Sequence, residues 1–120
     1  MRRNPRKTQR NRLDKKWSLI IRRPGKCEIC GSLGPLNAHH IFGSRYISTR
    51  WDLDNGICLC VGCHHKAHER SLVFAEWIKN KRGYPWYIDL RKRHFGKPER
   101  DLDILEAALD DIGRAYGIID

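Results

Sequence analysis

Four of the five cysteines fall as two Cys-x2-Cys pairs, Cys27/Cys30 and Cys60/Cys63, and no other feature constrains the fold as strongly. Each pair can form a turn whose two thiolates point at one ion, and two such turns complete the tetrahedron of a structural zinc site. The 29 residues between Cys30 and Cys60 exceed the usual zinc-ribbon gap, so something folded must sit between the knuckles. A site closed by four protein ligands has no open position and does no Lewis-acid chemistry itself. Its service is to fold the chain: 120 residues bury only part of their apolar surface, and small domains often need such a staple. Cys58, left over, reads as a small buried strand residue. It could compete with Cys60, but the Cys60-x2-Cys63 spacing fits better.

The charge is lopsided. Residues 1–26 hold eleven of the 24 Lys and Arg but one of the 14 acids, Asp14, so the surplus of +10 is an N-terminal one. Two readings stand: a solvated tail, or an arm that binds a polyanion such as DNA through Arg2, Arg3, Arg6, Lys7, Arg10 and Arg12. The arm has no interleaved apolar face for a membrane. No apolar run approaches a membrane span, and no apolar core follows the N-terminal charges, so a secretory signal is not expected. The expected place is a reducing cytoplasm, where such cysteines bind metal more often than they form disulfides.

A small α+β fold is expected. "WSLIIRRPG" (17–25) reads as a short strand or helical turn, "AHHIFG" and "NGICLC" as strands, and "SRYISTRWDLD" between them as a polar loop. After Cys63 the pattern is helical to Gly83, then again from Pro85 to Gly96. Leu102, Leu105, Leu109, Ile112 and Tyr116 space out a last helix, acidic and best read as a packing element, with a partner or dimer contact as the alternative. The resulting division is residues 1–26 as basic arm and lead-in, 27–82 as core, and 83–120 as a helical extension.

Five of the six histidines cluster around the cysteine staple. His64 and His68 are four apart and share a helix face, as metal-ligating pairs require, whereas His65 points about a hundred degrees away. In an extended segment His39 and His40 project to opposite faces, so they do not easily serve one ion together. That suggests a division of labour, with one a ligand and the other addressing a nearby water or phosphate.

At this point the chain resembles a known family. "CEIC", "AHHIFGSR" and "LDNGICLCVGCHHKAH", in this order, look like the HNH nuclease motif, in the subtype whose ββα-metal core carries zinc knuckles. The resemblance covers residues 27–90 or so and extends to small phage and prophage members. It implies that His40 is the general base and that His39, His64 and His68 bind one divalent ion. It also implies that Asn55 holds the hairpin loop and that Cys27, Cys30, Cys60 and Cys63 bind structural zinc. His39 stands where many members have Asp, and an all-imidazole shell suits Zn2+, Ni2+ or Mn2+ better than Mg2+.

The activity so implied is hydrolysis of DNA to a 5′ phosphate and a 3′ hydroxyl. Arg45, Arg50 and Lys66 flank the site and can clamp phosphates. No residue is an evident base reader, so sequence preference should be weak. The basic arm lies outside the motif, so its removal is expected to spare the metal site. Partners would be DNA and other phage DNA-processing proteins, in a bacterial cytoplasm, with the chain a monomer or weak dimer. Two other classes keep a place: a non-catalytic zinc module that binds DNA, and an RNA-cutting enzyme.

Overall fold

A helix stands where the basic sequence suggests an arm. In the computed structural model, which describes residues 4–119, α1 runs over Pro5–Ile21. Its start is local chemistry. The Asn4 side chain accepts hydrogen bonds from the backbone N–H groups of Arg6 and Lys7, and Pro5 occupies the first turn, where its missing N–H costs nothing. Leu13, Trp17, Ile20 and Ile21 fall on one face and are buried. "WSLII" is thus the end of a long helix, in place of a short strand or single turn, because Leu13 extends the same face upstream.

β1 (Leu36–His40) pairs antiparallel with β2 (Gly56–Cys60), with Leu36 opposite Cys60, His39 opposite Ile57 and His40 opposite Gly56. The intervening segment, expected as a loop, folds into α2 (Ile47–Arg50) and a 3-10 turn (Leu53–Asn55). Then come α3 (Val61–Glu69), α4 (Ser71–Arg82), α5 (Tyr84–Phe95) and α6 (Leu102–Ala115). The single helix expected up to Gly83 is therefore two, broken where Arg70 leaves helical geometry at φ −118°, ψ 58°. Gly83, at φ +95°, ends α4 in a backbone region that glycine alone enters readily.

The hairpin divides two cores. One face carries Ile57 and Leu59 against Ala67, Phe74 and Ile78 of α3 and α4. On the other face Ala38 packs against Leu13, Trp17, Ile20 and Ile21 of α1 with Trp51, Leu102 and Leu109. α1 is therefore part of the packed body. The acidic helix α6 packs on α1, where Arg12 and Lys16 reach Glu106 at 3.0 and 2.7 Å. α5 closes over α2: the Ser48 hydroxyl donates to the His94 carbonyl at 2.7 Å, and Arg93 pairs with Asp52 and Asp54. The architecture is a small α+β one. Among the described residues no helix is long and apolar enough to cross a membrane.

Candidate metal centres

The first cluster gathers Cys27, Cys30, Cys60 and Cys63, whose sulfurs all lie within 4.8 Å of one another. Cys27 and Cys30 sit on a tight turn, closed by the Gly31 N–H on the Cys27 carbonyl at 2.9 Å, with Gly31 at φ +77°. Cys60 caps α3, its sulfur accepting from the Cys63 N–H at 3.4 Å. Burial opposes ionisation of Cys27, but the backbone N–H groups of Cys30, Cys60 and Ile29 outweigh it and bring the thiol to about 6. Cys63 moves the other way, to about 12, through burial and its hydrogen bonds to the three neighbouring thiols. One thiolate forms readily and opposes a second nearby, which is the behaviour of a donor set suited to a cation. The four sulfurs form a site able to hold one metal ion. Cys58 lies fully buried in β2, outside this set, and burial pushes its thiol up.

The second cluster brings His39 of β1 to His64 and His68 of α3, with one ring nitrogen of each within 4.8 Å of the others. His64 Nε2 and His68 Nε2 are 3.2 Å apart, and the His39 ring meets both edge-on at centroid distances of 4.9 and 5.0 Å. Burial, then the neighbouring His64, His68 and His40, bring His39 down to about 4, and burial with His68 lowers His64. Neutral imidazoles at pH 7 are the form that coordinates metal. His65 faces away and pairs with Glu69 at 2.9 Å, an exposed contact.

His40 projects from the other face of β1. Its ring stacks on Trp17 at 4.0 Å with the planes 8° apart, and its Nε2 lies 2.9 Å from the Arg50 carbonyl. A carbonyl only accepts, so Nε2 carries the proton and the neutral ring offers its lone pair at Nδ1. Burial lowers the pKa of His40, partly opposed by the Arg50 carbonyl. A cleft of about 250 Å³ opens beside both histidines, lined also by Phe42, His68, Phe74 and Tyr87.

Asn55 is fully buried and ties the loop together. Its Oδ1 accepts from the Phe42 N–H at 2.7 Å, and its Nδ2 donates to the carbonyls of Phe42 and Thr49, both at 2.9 Å. That fixes the chain on both sides of the turn from His40 to α2.

The cations divide differently from the sequence expectation. Arg12 is turned toward α6, its guanidinium on Glu106 at 3.0 and 3.1 Å. Arg50 is held bidentate by Asp14 at 3.0 and 2.8 Å. Arg6, Lys7 and Arg10 line a groove with Asn4, Asn11 and Arg50. Arg45 is exposed on the loop after β1, while Lys66 lies beside Ile29, Cys63 and Arg70 on the cysteine side. Arg2 and Arg3 lie outside the described residues. Sequence reasoning missed Asp14, Trp17 and His94. The last, buried, has its Nδ1 2.8 Å from the Thr49 hydroxyl and its ring stacked on Phe42 at 4.6 Å. The one signal in the sequence was the Leu13, Trp17, Ile20, Ile21 spacing within a stretch dominated by charge.

No protein-family model, no curated protein and no solved structure matches this chain.

Proposed function

We propose that this protein is a metal-dependent endonuclease of the HNH type that hydrolyses DNA phosphodiester bonds. One observation carries the reading: three imidazoles converge within 4.8 Å, while the adjacent His40 offers Nδ1 with its other nitrogen committed to a carbonyl. The donor set of His39, His64 and His68 fits one divalent ion, with zinc, nickel or manganese better suited than magnesium. When bound there, such an ion supplies charge neutralisation to a phosphate oxygen and a departing oxygen. Every other task falls to the chain. His40, neutral near pH 7, takes a proton from the attacking water through Nδ1. Asn55 keeps the loop from shifting the Arg50 carbonyl, which sets the His40 ring. The cysteine set, filled with zinc, anchors the start of α3 and so holds His64 and His68 against β1.

The cationic groove of Arg6, Lys7 and Arg10, with exposed Arg45, favours a polyanion as substrate and offers no evident base reader. A single site cuts one strand per engagement, so nicked circles should precede linear DNA. A DNA-binding zinc module without chemistry needs the cysteines but gives no reason for three converging imidazoles. Phage DNA processing in a bacterial cytoplasm suits such an enzyme.

The test is cleavage of supercoiled plasmid, with single-stranded RNA in parallel, across Mg2+, Mn2+, Ni2+ and Zn2+. Wild type should cut plasmid, and folded His40→Ala should fall by at least about a hundredfold, the lower range for losing a general base. Undiminished cutting by that variant removes His40 from the role. Cleavage of RNA alone makes the enzyme a ribonuclease, and cleavage of neither with any ion leaves the DNA-binding module as the function.

A further inference from the structure

We infer that α1, which lies outside the nuclease-like segment, is a working part of the site: Trp17 and Asp14 are positioning residues that fix the ring plane and the tautomer of His40. The inference rests on the reading of His40 as the base. Two constraints act on the ring, and they are complementary. Stacking at 4.0 Å and 8° on Trp17 confines the plane of the imidazole but permits a half-turn within that plane. The bond of 2.9 Å from Nε2 to the Arg50 carbonyl selects one of the two half-turn states. Together they leave one orientation, with the lone pair at Nδ1.

Each constraint is itself braced by α1. Trp17 is 2 % exposed, and its indole N–H donates to the Asp52 carbonyl at 2.9 Å, so the stacking surface cannot rotate away. The strand partner of His40 is Gly56, and a Cβ there would come within 2.8 Å of the Trp17 ring and 2.3 Å of Ile21 Cδ1. Absence of a side chain opposite His40 is what lets the indole lie against the hairpin at this point. Asp14 braces the second constraint. Its carboxylate takes the Arg50 guanidinium at 3.0 and 2.8 Å and the Trp51 indole N–H at 2.8 Å, anchoring consecutive residues whose first carbonyl is the acceptor for His40. Nothing in the packing of α1 alone requires a charged side chain at position 14, which is about a third exposed.

The experiment compares wild type with Asp14→Ala, Trp17→Leu and Trp17→Phe, all as the full zinc-loaded chain. It reads steady-state plasmid cleavage and the 15N shifts of the His40 ring. Wild type should give a single Nε2–H tautomer. Asp14→Ala should mix the tautomers and lower kcat by about tenfold to a hundredfold with KM unchanged, the scale of a misplaced reacting group. Trp17→Leu should fall by a similar factor, and Trp17→Phe, which keeps a ring to stack on, should recover most of it. If Trp17→Leu does not fold, the Asp14→Ala and Trp17→Phe proteins decide the matter. A folded Asp14→Ala protein with wild-type kcat or with an unchanged tautomer overturns the inference. The underlying base assignment fails separately, on undiminished cutting by His40→Ala, whereas positioning fails on the ring spectrum.

Discussion

The Glu106 carboxylate gathers donors from three side chains of α1, Gln9, Arg12 and Lys16, and this holds one end of the molecule together. The Arg12 bond is the largest influence on it, and with Lys16 and Gln9 it overcomes burial to bring Glu106 down to about 2. A carboxyl whose folded pKa lies below its ordinary value adds stability above that value and loses it as pH falls through the folded one. The contribution of Glu106 should therefore be complete above about pH 5 and fade toward pH 2. Glu106→Gln should cost about 1 kcal/mol at neutral pH, since the half-exposed Arg12 is screened by solvent, and progressively less as pH falls toward 2. Urea titrations from pH 2 to 7 check this through the difference between the two proteins. Either curve alone also records protonation of the thiolates.

At the scale of the element, α1 has two jobs on two faces. Leu13, Trp17, Ile20 and Ile21 face the core, and Arg12 and Lys16 face α6. Deleting residues 1–16 would therefore remove Leu13 and Asp14 from the packed body, and such a truncation should destabilise the domain where a detached arm would be dispensable. On the face that contains Arg6, Lys7 and Arg10, the first two are exposed and Arg10 lies over the Trp51 ring at 5.9 Å from its centroid. Replacing these three by Gln should lower the urea midpoint only slightly, through loss of the Arg10–Trp51 contact. It should reduce the log–log salt slope of DNA binding by roughly 0.9 for each phosphate that is no longer neutralised, with sequence preference unchanged. Filter binding between low and moderate salt measures the slope directly, and an unaltered slope would take this face off the DNA.

Across the whole molecule the two clusters differ in kind, and so should their responses to chelation. Four thiolates hold zinc far more tightly than three imidazoles hold a divalent ion, and the cysteine site joins segments 30 residues apart in sequence. Mild EDTA should abolish cleavage while leaving the circular dichroism spectrum native. Cys27→Ser or Cys63→Ser should instead unfold the domain, because a zinc ion held by these four thiolates would supply much of its folding free energy. Elemental analysis before and after EDTA should fall from two metals per chain to one. A single metal per active chain, with folded cysteine variants, would overturn the scheme.

What was legible in the sequence is what short-range spacing encodes. Two knuckles follow from two Cys-x2-Cys pairs, a shared helix face from His64 and His68, and opposite faces from consecutive strand residues His39 and His40. Each depends only on the periodicity of a helix, strand or turn. The tertiary structure alone decided that His39 meets His64 and His68, since they lie on different elements brought together by the hairpin. It decided too that the basic arm is a helix in the core. Apolar residues crowd the C-terminal half of that helix while cations fill the rest, so its periodicity is weak, and the acid that receives Arg12 and Lys16 comes from α6, 94 and 90 residues away. Order in the segment from Ile47 to Asn55 likewise waits on His94 and Arg93, 41 to 46 residues distant, which leave no local mark. Asp14 and Trp17 belong to this second class: a residue that aims another is recognisable only once both are in place.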